Sequence, residues 1–155
     1  MTVRLRFEQR VEATREAAFD LVHDYERRLD WDTLLRSARV EGGKPAAKGE
    51  VAVCAGRWAI GGLVFATRYV SFDRPEVAAV KLENPPRLFA SWAASIRHRE
   101  VEGTEGRASE VLYQMTFACR PAWAAWLFEP IVAAAFRWET KKRLRALAAH
   151  LAKAD

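Results

Sequence analysis

Acid–base and oxyanion chemistry need side chains that titrate or carry fixed charge, and few in this sequence stand in apolar company. They are three histidines (His23, His98 and His150), three tyrosines, and Arg137, which interrupts a run of alanines and aromatics. None falls in a conventional constellation. The chain has no HExxH, no CxxC and no glycine-rich phosphate loop, so the residues signal neither a metal nor a nucleotide cofactor. Ser37, Ser71, Ser91, Ser95 and Ser109 lack a G-x-S-x-G context. Cys54 and Cys119 are far apart, with no second Cys or His at ligand spacing. They read as reduced, buried thiols of a cytosolic protein. Covalent catalysis has no support here.

Which polar side chains reach an interior depends on strand register and helix phase. A strand predicted over residues 88–101 gives Leu88, Ala90, Trp92, Ala94 and Ile96 one buried parity, which His98 continues. Ser91, Ser95, Arg97 and Arg99 take the other. Over 110–119 the apolar parity is Val111, Tyr113, Met115 and Phe117; over 63–72 it is Phe65, Thr67 and Tyr69. A helix after Pro121 collects Trp126, Pro130, Ala133, Ala134, Arg137, Thr140, Leu144, Leu147, Ala148 and Leu151 on one face. The predicted lining is therefore Phe65, Thr67, Tyr69, Trp92, Ile96, His98, Tyr113, Met115, Phe117, Ala133 and Arg137. A guanidinium on that face needs a carboxylate such as Glu129 or Glu139, or an anionic or carbonyl group on a ligand. In an enzyme, His98 and Tyr113 can pass protons during enolisation or dehydration while Arg137 holds the enolate oxygen. Otherwise the same residues are amphipathic packing. Trp31 and Asp32 follow a second short helix, where they dock the indole or gate a mouth.

The elements that must hold these residues follow from the pattern. Residues 3–11 alternate charged and apolar, a half-buried strand. Thr14 caps a short helix that packs Ala17, Ala18, Phe19 and Val22 inward, and residues 25–29 suggest a second. Strands are predicted over 35–41, 50–59, 63–72, 77–83, 88–101 and 110–119. The turns between them are Gly42–Pro45, Gly61–Gly62, Asp73–Pro75, Asn84–Pro86 and Glu102–Gly106. Six consecutive strands with short connections make an antiparallel meander, and the helices cover its concave side. The class is α+β, in one domain over residues 1–155.

At 155 residues, half of them apolar, the chain sustains a core without disulfide or metal staples. It shows no secretion signal and no stretch long and apolar enough to span a bilayer, so a cytoplasmic location is expected. The net charge of +5 is spread as Arg through every segment with Glu interleaved; only residues 137–145 cluster. That cluster reads as a solvated helix face, and no nucleic acid is expected as partner.

The order of elements resembles the helix-grip fold of the START-like (SRPBCC) superfamily over essentially the whole chain. Residues 13–24 (ATREAAFDLVHD) are similar to its early helix ending in an acidic residue. Trp31-Asp32 is similar to its tryptophan followed by a small or acidic residue, and Asn84-Pro85-Pro86-Arg87-Leu88 to its "PP-R" turn. Arg143-Leu144-Arg145-Ala146-Leu147 is similar to its closing helix. The nearest subfamily is the polyketide cyclase/dehydrase type, although Gly103-Thr104-Glu105-Gly106 departs from the usual Gly-Gly-Thr run. The resemblance implies a hydrophobic cavity between curved sheet and long helix, used by members for lipids, sterols, quinones or polyketides, with chemistry in only some. Three functions are therefore in view. One is binding of a small hydrophobic or aromatic molecule without chemistry. Another is a cyclase or dehydratase working through His98, Tyr113 and Arg137. The last is docking of a partner or membrane by the Trp-rich, basic helix, whose Trp123, Trp126 and Phe128 also suit a homodimer.

Overall fold

The computed structural model describes residues 2–57, 62–83, 85 and 88–153. Strand β1 (Val3–Val11) leads into helices α1 (Arg15–His23) and α2 (Arg28–Trp31). Strands β2 (Leu35–Val40), β3 (Val51–Gly56), β4 (Val64–Asp73), β5 (Val77–Leu82), β6 (Phe89–Glu100) and β7 (Ser109–Cys119) follow, then helix α3 (Ala125–Lys153). The strands form one antiparallel sheet ordered β1-β7-β6-β5-β4-β3-β2. The meander is the predicted one, and its first strand returns to pair with its last, Val3 opposite Phe117 and Val11 opposite Ser109. The sheet curls around α3, giving the helix-grip architecture. Of the predicted turns, Gly61, Asn84, Pro86 and Arg87 lie outside the described residues.

Local chemistry explains the boundaries. The Thr14 hydroxyl accepts from the Ala17 amide at 3.1 Å and starts α1, which buries Ala18, Phe19, Leu21 and Val22. The second helix starts later than residue 25. The Asp24 carboxylate accepts from the Glu26 amide at 3.2 Å, and this Asx-type turn diverts Tyr25–Arg27 from helical bonding. The helix then forms as Arg28–Trp31, and Asp32 closes it through its amide to the Arg28 carbonyl.

Register departs from simple alternation on β6. A bulge between Phe89 and Ser91 switches the inward parity: Phe89 is buried and Ala90 exposed before it, while Ala94, Ile96 and His98 are buried after it. Ser95, predicted to face solvent, is half-buried.

The inward phase of α3 also differs from the prediction. Its buried residues are Ala125, Glu129, Ala133, Thr140, Arg143, Leu144, Leu147 and Leu151. Trp126, Pro130, Ala134 and Arg137 are exposed instead. The seam steps alternately by four and three residues from Glu129 through Ala133, Phe136, Thr140 and Arg143 to Leu147. That is a repeat of about 3.5, which drifts by roughly 20° per two turns against the 3.6 period of the helix. A face projected back from Leu144 at 3.6 therefore slides off the true seam. The Glu129 carboxylate anchors the near end of the helix by accepting the Cys119 amide at 3.0 Å, so it is no partner for Arg137. Helix α3 lies against β1, β7 and α2. Its Phe136 completes an aromatic column with Phe117 and Phe89, centroids 5.3 and 6.0 Å away.

Candidate functional site

Between the concave face of the sheet and α3 lies a cavity of about 100 Å³. Its walls are mostly apolar: Phe65 stacks on Trp92 at 5.7 Å, and Ile96, Met115, Phe136 and Leu144 close the remainder. Two clusters of polar side chains stand out in this lining. The first is ionic. Asp32, held just past α2, receives Arg28 Nε at 2.8 Å and Arg143 Nη2 at 2.5 Å on its Oδ2, and the Leu34 amide at 3.0 Å on its Oδ1. Arg28 is held by more than the carboxylate. It also donates to the Val22 carbonyl at 2.9 Å and lies between the rings of Tyr25 and Trp31. Arg143 is not. Among the described residues it donates only to Asp32, and the rest of its guanidinium borders the cavity beside the Tyr113 ring. Two guanidiniums against one carboxylate leave the cluster formally positive.

The electrostatics follow from the geometry. Burial alone would raise the Asp32 carboxyl, but the Arg143 and Arg28 charges outweigh it and hold the group below the ordinary carboxylate range. Burial also raises the Tyr113 phenol, so it is a neutral donor at pH 7.

The second polar group is a hydrogen-bonded chain that adjoins the first where Arg28 lies over the Tyr25 ring. The Tyr69 hydroxyl meets His23 Nδ1 at 2.8 Å and the Tyr25 hydroxyl at 2.6 Å. Burial, then repulsion by Arg28 and His98, push His23 well below its usual range, so the ring is neutral. Burial pushes Tyr69 well above the phenolic range and Tyr25 above it. His23 and Tyr25 also line an outer groove of about 500 Å³ between α1, β2 and the segments before β3 and β5. These residues are thus the partition between groove and cavity. Arg74 and Asp20 clasp the groove's edge with two bonds of 2.6 and 2.8 Å.

Of the predicted lining, Phe65, Thr67, Tyr69, Trp92, Ile96, Tyr113 and Met115 border the cavity. Phe117 and Ala133 are buried in the core behind it. His98 is buried too, but it packs on Phe19 at 5.6 Å with neither ring nitrogen hydrogen-bonded among the described residues. Burial lowers its pKa to about 4. Arg137 is exposed on the outer side of α3. The place assigned to it is taken by Arg143, six residues on, at the spacing of Leu147 and Leu151. Sequence reasoning also missed His23, Tyr25 and Arg28. Arg28 stands four residues before Asp32, an ion-pair spacing legible on any helix.

Residues 2–152 match the family model described as polyketide cyclase / dehydrase and lipid transport. The sequence matches none of the curated proteins compared with it. Its fold is similar to that of the Zhui aromatase/cyclase from Streptomyces sp. R1128, with TM-score 0.79 and 12% identity over 99% of this chain and 95% of that one. It is also similar to the di-domain ARO/CYC BexL from the BE-7585A biosynthetic pathway, with TM-score 0.75 and 17% identity. There 97% of this chain aligns with 50% of the other, so it spans half of that protein. A START superfamily protein from Mycobacterium smegmatis aligns with TM-score 0.71 and 13% identity over 96% of this chain and 98% of that one. At such identities the likeness of the solved structures concerns fold alone. The family model, matched over nearly the whole sequence, goes further: the chain belongs to the polyketide cyclase/dehydrase and lipid transport family.

Proposed function

We propose that the protein binds a small, largely apolar molecule in the cavity and holds one carbonyl, enolate or carboxylate oxygen of it on Arg143. The observation that carries this reading is the uncommitted side of a buried guanidinium facing an apolar cavity. A cation so placed calls for an oxygen partner, and its planar fork suits a carbonyl or carboxylate. Size narrows the class. A cavity of roughly 150 Å³ accepts benzene, so about 100 Å³ suits a single ring or a short acyl segment. A longer ligand, such as a lipid, quinone or polyketide, would pass the His23–Tyr25 partition into the outer groove.

A second reading, cyclase or dehydratase chemistry, draws on the His23–Tyr69–Tyr25 chain together with the cationic anchor. Arg143 would stabilise an enolate oxygen while the chain moves the proton. The aromatase/cyclase neighbours are compatible with it. In the free protein, however, a histidine held well below neutral pH is a weak base, which favours binding without turnover.

Native mass spectrometry of protein purified from its own host, with denaturing extraction of whatever is bound, tests the first reading. A stoichiometric molecule bearing an oxygen head group is the expected result. Retention of a purely hydrocarbon molecule would refute the role of Arg143. If the protein emerges empty yet turns over aromatic polyketide mimics, with loss of rate in His23→Gln and Tyr69→Phe, the second reading replaces the first.

A further inference from the structure

The first half of α3 is apolar almost all round, yet the sheet covers only one side of it. Trp123 is 81% exposed, Trp126 74%, Ile131 64% and Trp138 68%, with Leu127 half exposed among them. Single exposed apolar residues are ordinary; five within sixteen positions of one segment, three of them tryptophans, form a patch about 20 Å long. It continues directly into exposed Arg137, Lys141, Lys142 and Arg145 on the same outward side. None of these four pairs with a described carboxylate. The only acidic residues of α3 are Glu129, buried against Cys119, and Glu139, half-buried and off that side. The exposed face is thus tryptophan-rich at one end, uniformly cationic at the other, and free of exposed anions.

We infer that this face of α3 docks the protein on a bilayer surface containing anionic phospholipid. Indole rings favour the headgroup boundary, where the ring is desolvated and its N–H stays hydrogen-bonded. Unpaired Lys and Arg beside them gain from the negative surface potential. A helix with an apolar outer patch and basic flank lies in the plane of such an interface and does not cross it. Crossing is unavailable in any case: no described helix is long and apolar enough. Charge also separates this occupant from a second copy of the chain. Two copies meeting through this face would bring their cationic ends into one interface on a protein already carrying +5, whereas an anionic surface neutralises them. The inference does not depend on the cavity or on its ligand.

The test is co-sedimentation with vesicles of phosphatidylcholine alone and of phosphatidylcholine mixed equally with phosphatidylglycerol, at low and high salt. The wild-type chain should pellet with the mixed vesicles, release at high salt, and stay in solution with phosphatidylcholine alone. The triple variant Lys141→Ala, Lys142→Ala, Arg145→Ala should bind about a hundredfold more weakly, each surface charge contributing roughly fivefold. Trp123→Ser with Trp126→Ser should lose binding while keeping the wild-type melting temperature, since both side chains are outside the core. Vesicle binding unchanged in either variant overturns the inference. So does a wild-type chain that ignores the mixed vesicles but sediments as a dimer dispersed by the Trp variant, which would assign the face to a second copy. Retention on heparin that survives the Trp variant, without vesicle binding, overturns it in favour of a soluble polyanion.

Discussion

Asp32 is the residue on which the interior depends most. Removing its charge as Asp32→Asn leaves two guanidiniums buried with no anion, a change that costs about 3–5 kcal/mol. Urea unfolding at pH 7 should show that loss. The acid limb of stability belongs to the same residue and to the buried histidines. Asp32 titrates lower in the fold than unfolded, so its contribution is present above the unfolded value and is lost as pH falls through the folded one. His98 is a base with a depressed pKa, which gives stability the same dependence on pH. The unfolded chain takes up a proton near pH 6.5, the fold only near 4, and stability declines as pH falls between the two. At pH 5 the decline from His98 is about 2 kcal/mol. His98→Leu should be close to neutral at pH 7, because neither ring nitrogen has a partner among the described residues, and should flatten the midpoint between pH 6.5 and 4. A full-size pH dependence in His98→Leu would return the effect to His23. Arg143→Lys keeps a charge against Asp32 but removes the planar fork. The folded state should survive, and the retained ligand should bind at least about tenfold more weakly by titration. Much of this residue chemistry was hard to read in advance. Arg143 sits among Lys141, Lys142 and Arg145, and composition makes the four look alike. Only its four-residue spacing from Leu147 separates the buried one. His23 stands at a helix end, and nothing local reveals that Tyr69, on a strand far along the chain, meets its Nδ1.

At the scale of elements, the strands and turns followed from alternation and breakers, because a half-buried antiparallel strand writes its two faces into the sequence. On β6 alternation failed where a bulge inserted a residue, between Phe89 and Ser91, and a bulge has no residue signature there. Helix α3 failed more broadly, since its seam drifts and an ideal wheel does not. The observed seam makes opposite predictions for two positions that the ideal wheel puts on one face. Arg137→Ala should change stability by under about 0.5 kcal/mol and leave ligand retention untouched. Leu147→Ala, in a site with no exposure at all, should cost about 2–5 kcal/mol in the same denaturation assay. Glu129→Ala should also destabilise, by about 1–3 kcal/mol, because the buried Cys119 amide loses its acceptor.

For the molecule as a whole, the sequence conveyed the architecture because each segment's pattern agreed with the same curled sheet and closing helix. It conveyed less of the interior, because a cavity is shared property: its walls come from α1, α2, six strands and α3, and no window of sequence contains it. The strand order adds a consequence in time. The first strand pairs only with the last, β1 at the sheet's edge against β7, so Val3 has no partner until Phe117 is available. During synthesis the amino-terminal strand must wait, unpaired and half apolar, while almost all of the remaining sheet is made. Topologies dominated by such distant pairings fold slowly. The waiting strand alternates Arg4, Arg6, Glu8 and Arg10 with its apolar positions, and interspersed charge of this kind keeps an unsatisfied edge from templating aggregation. The charged face of β1 thus serves the chain before it has folded as well as after.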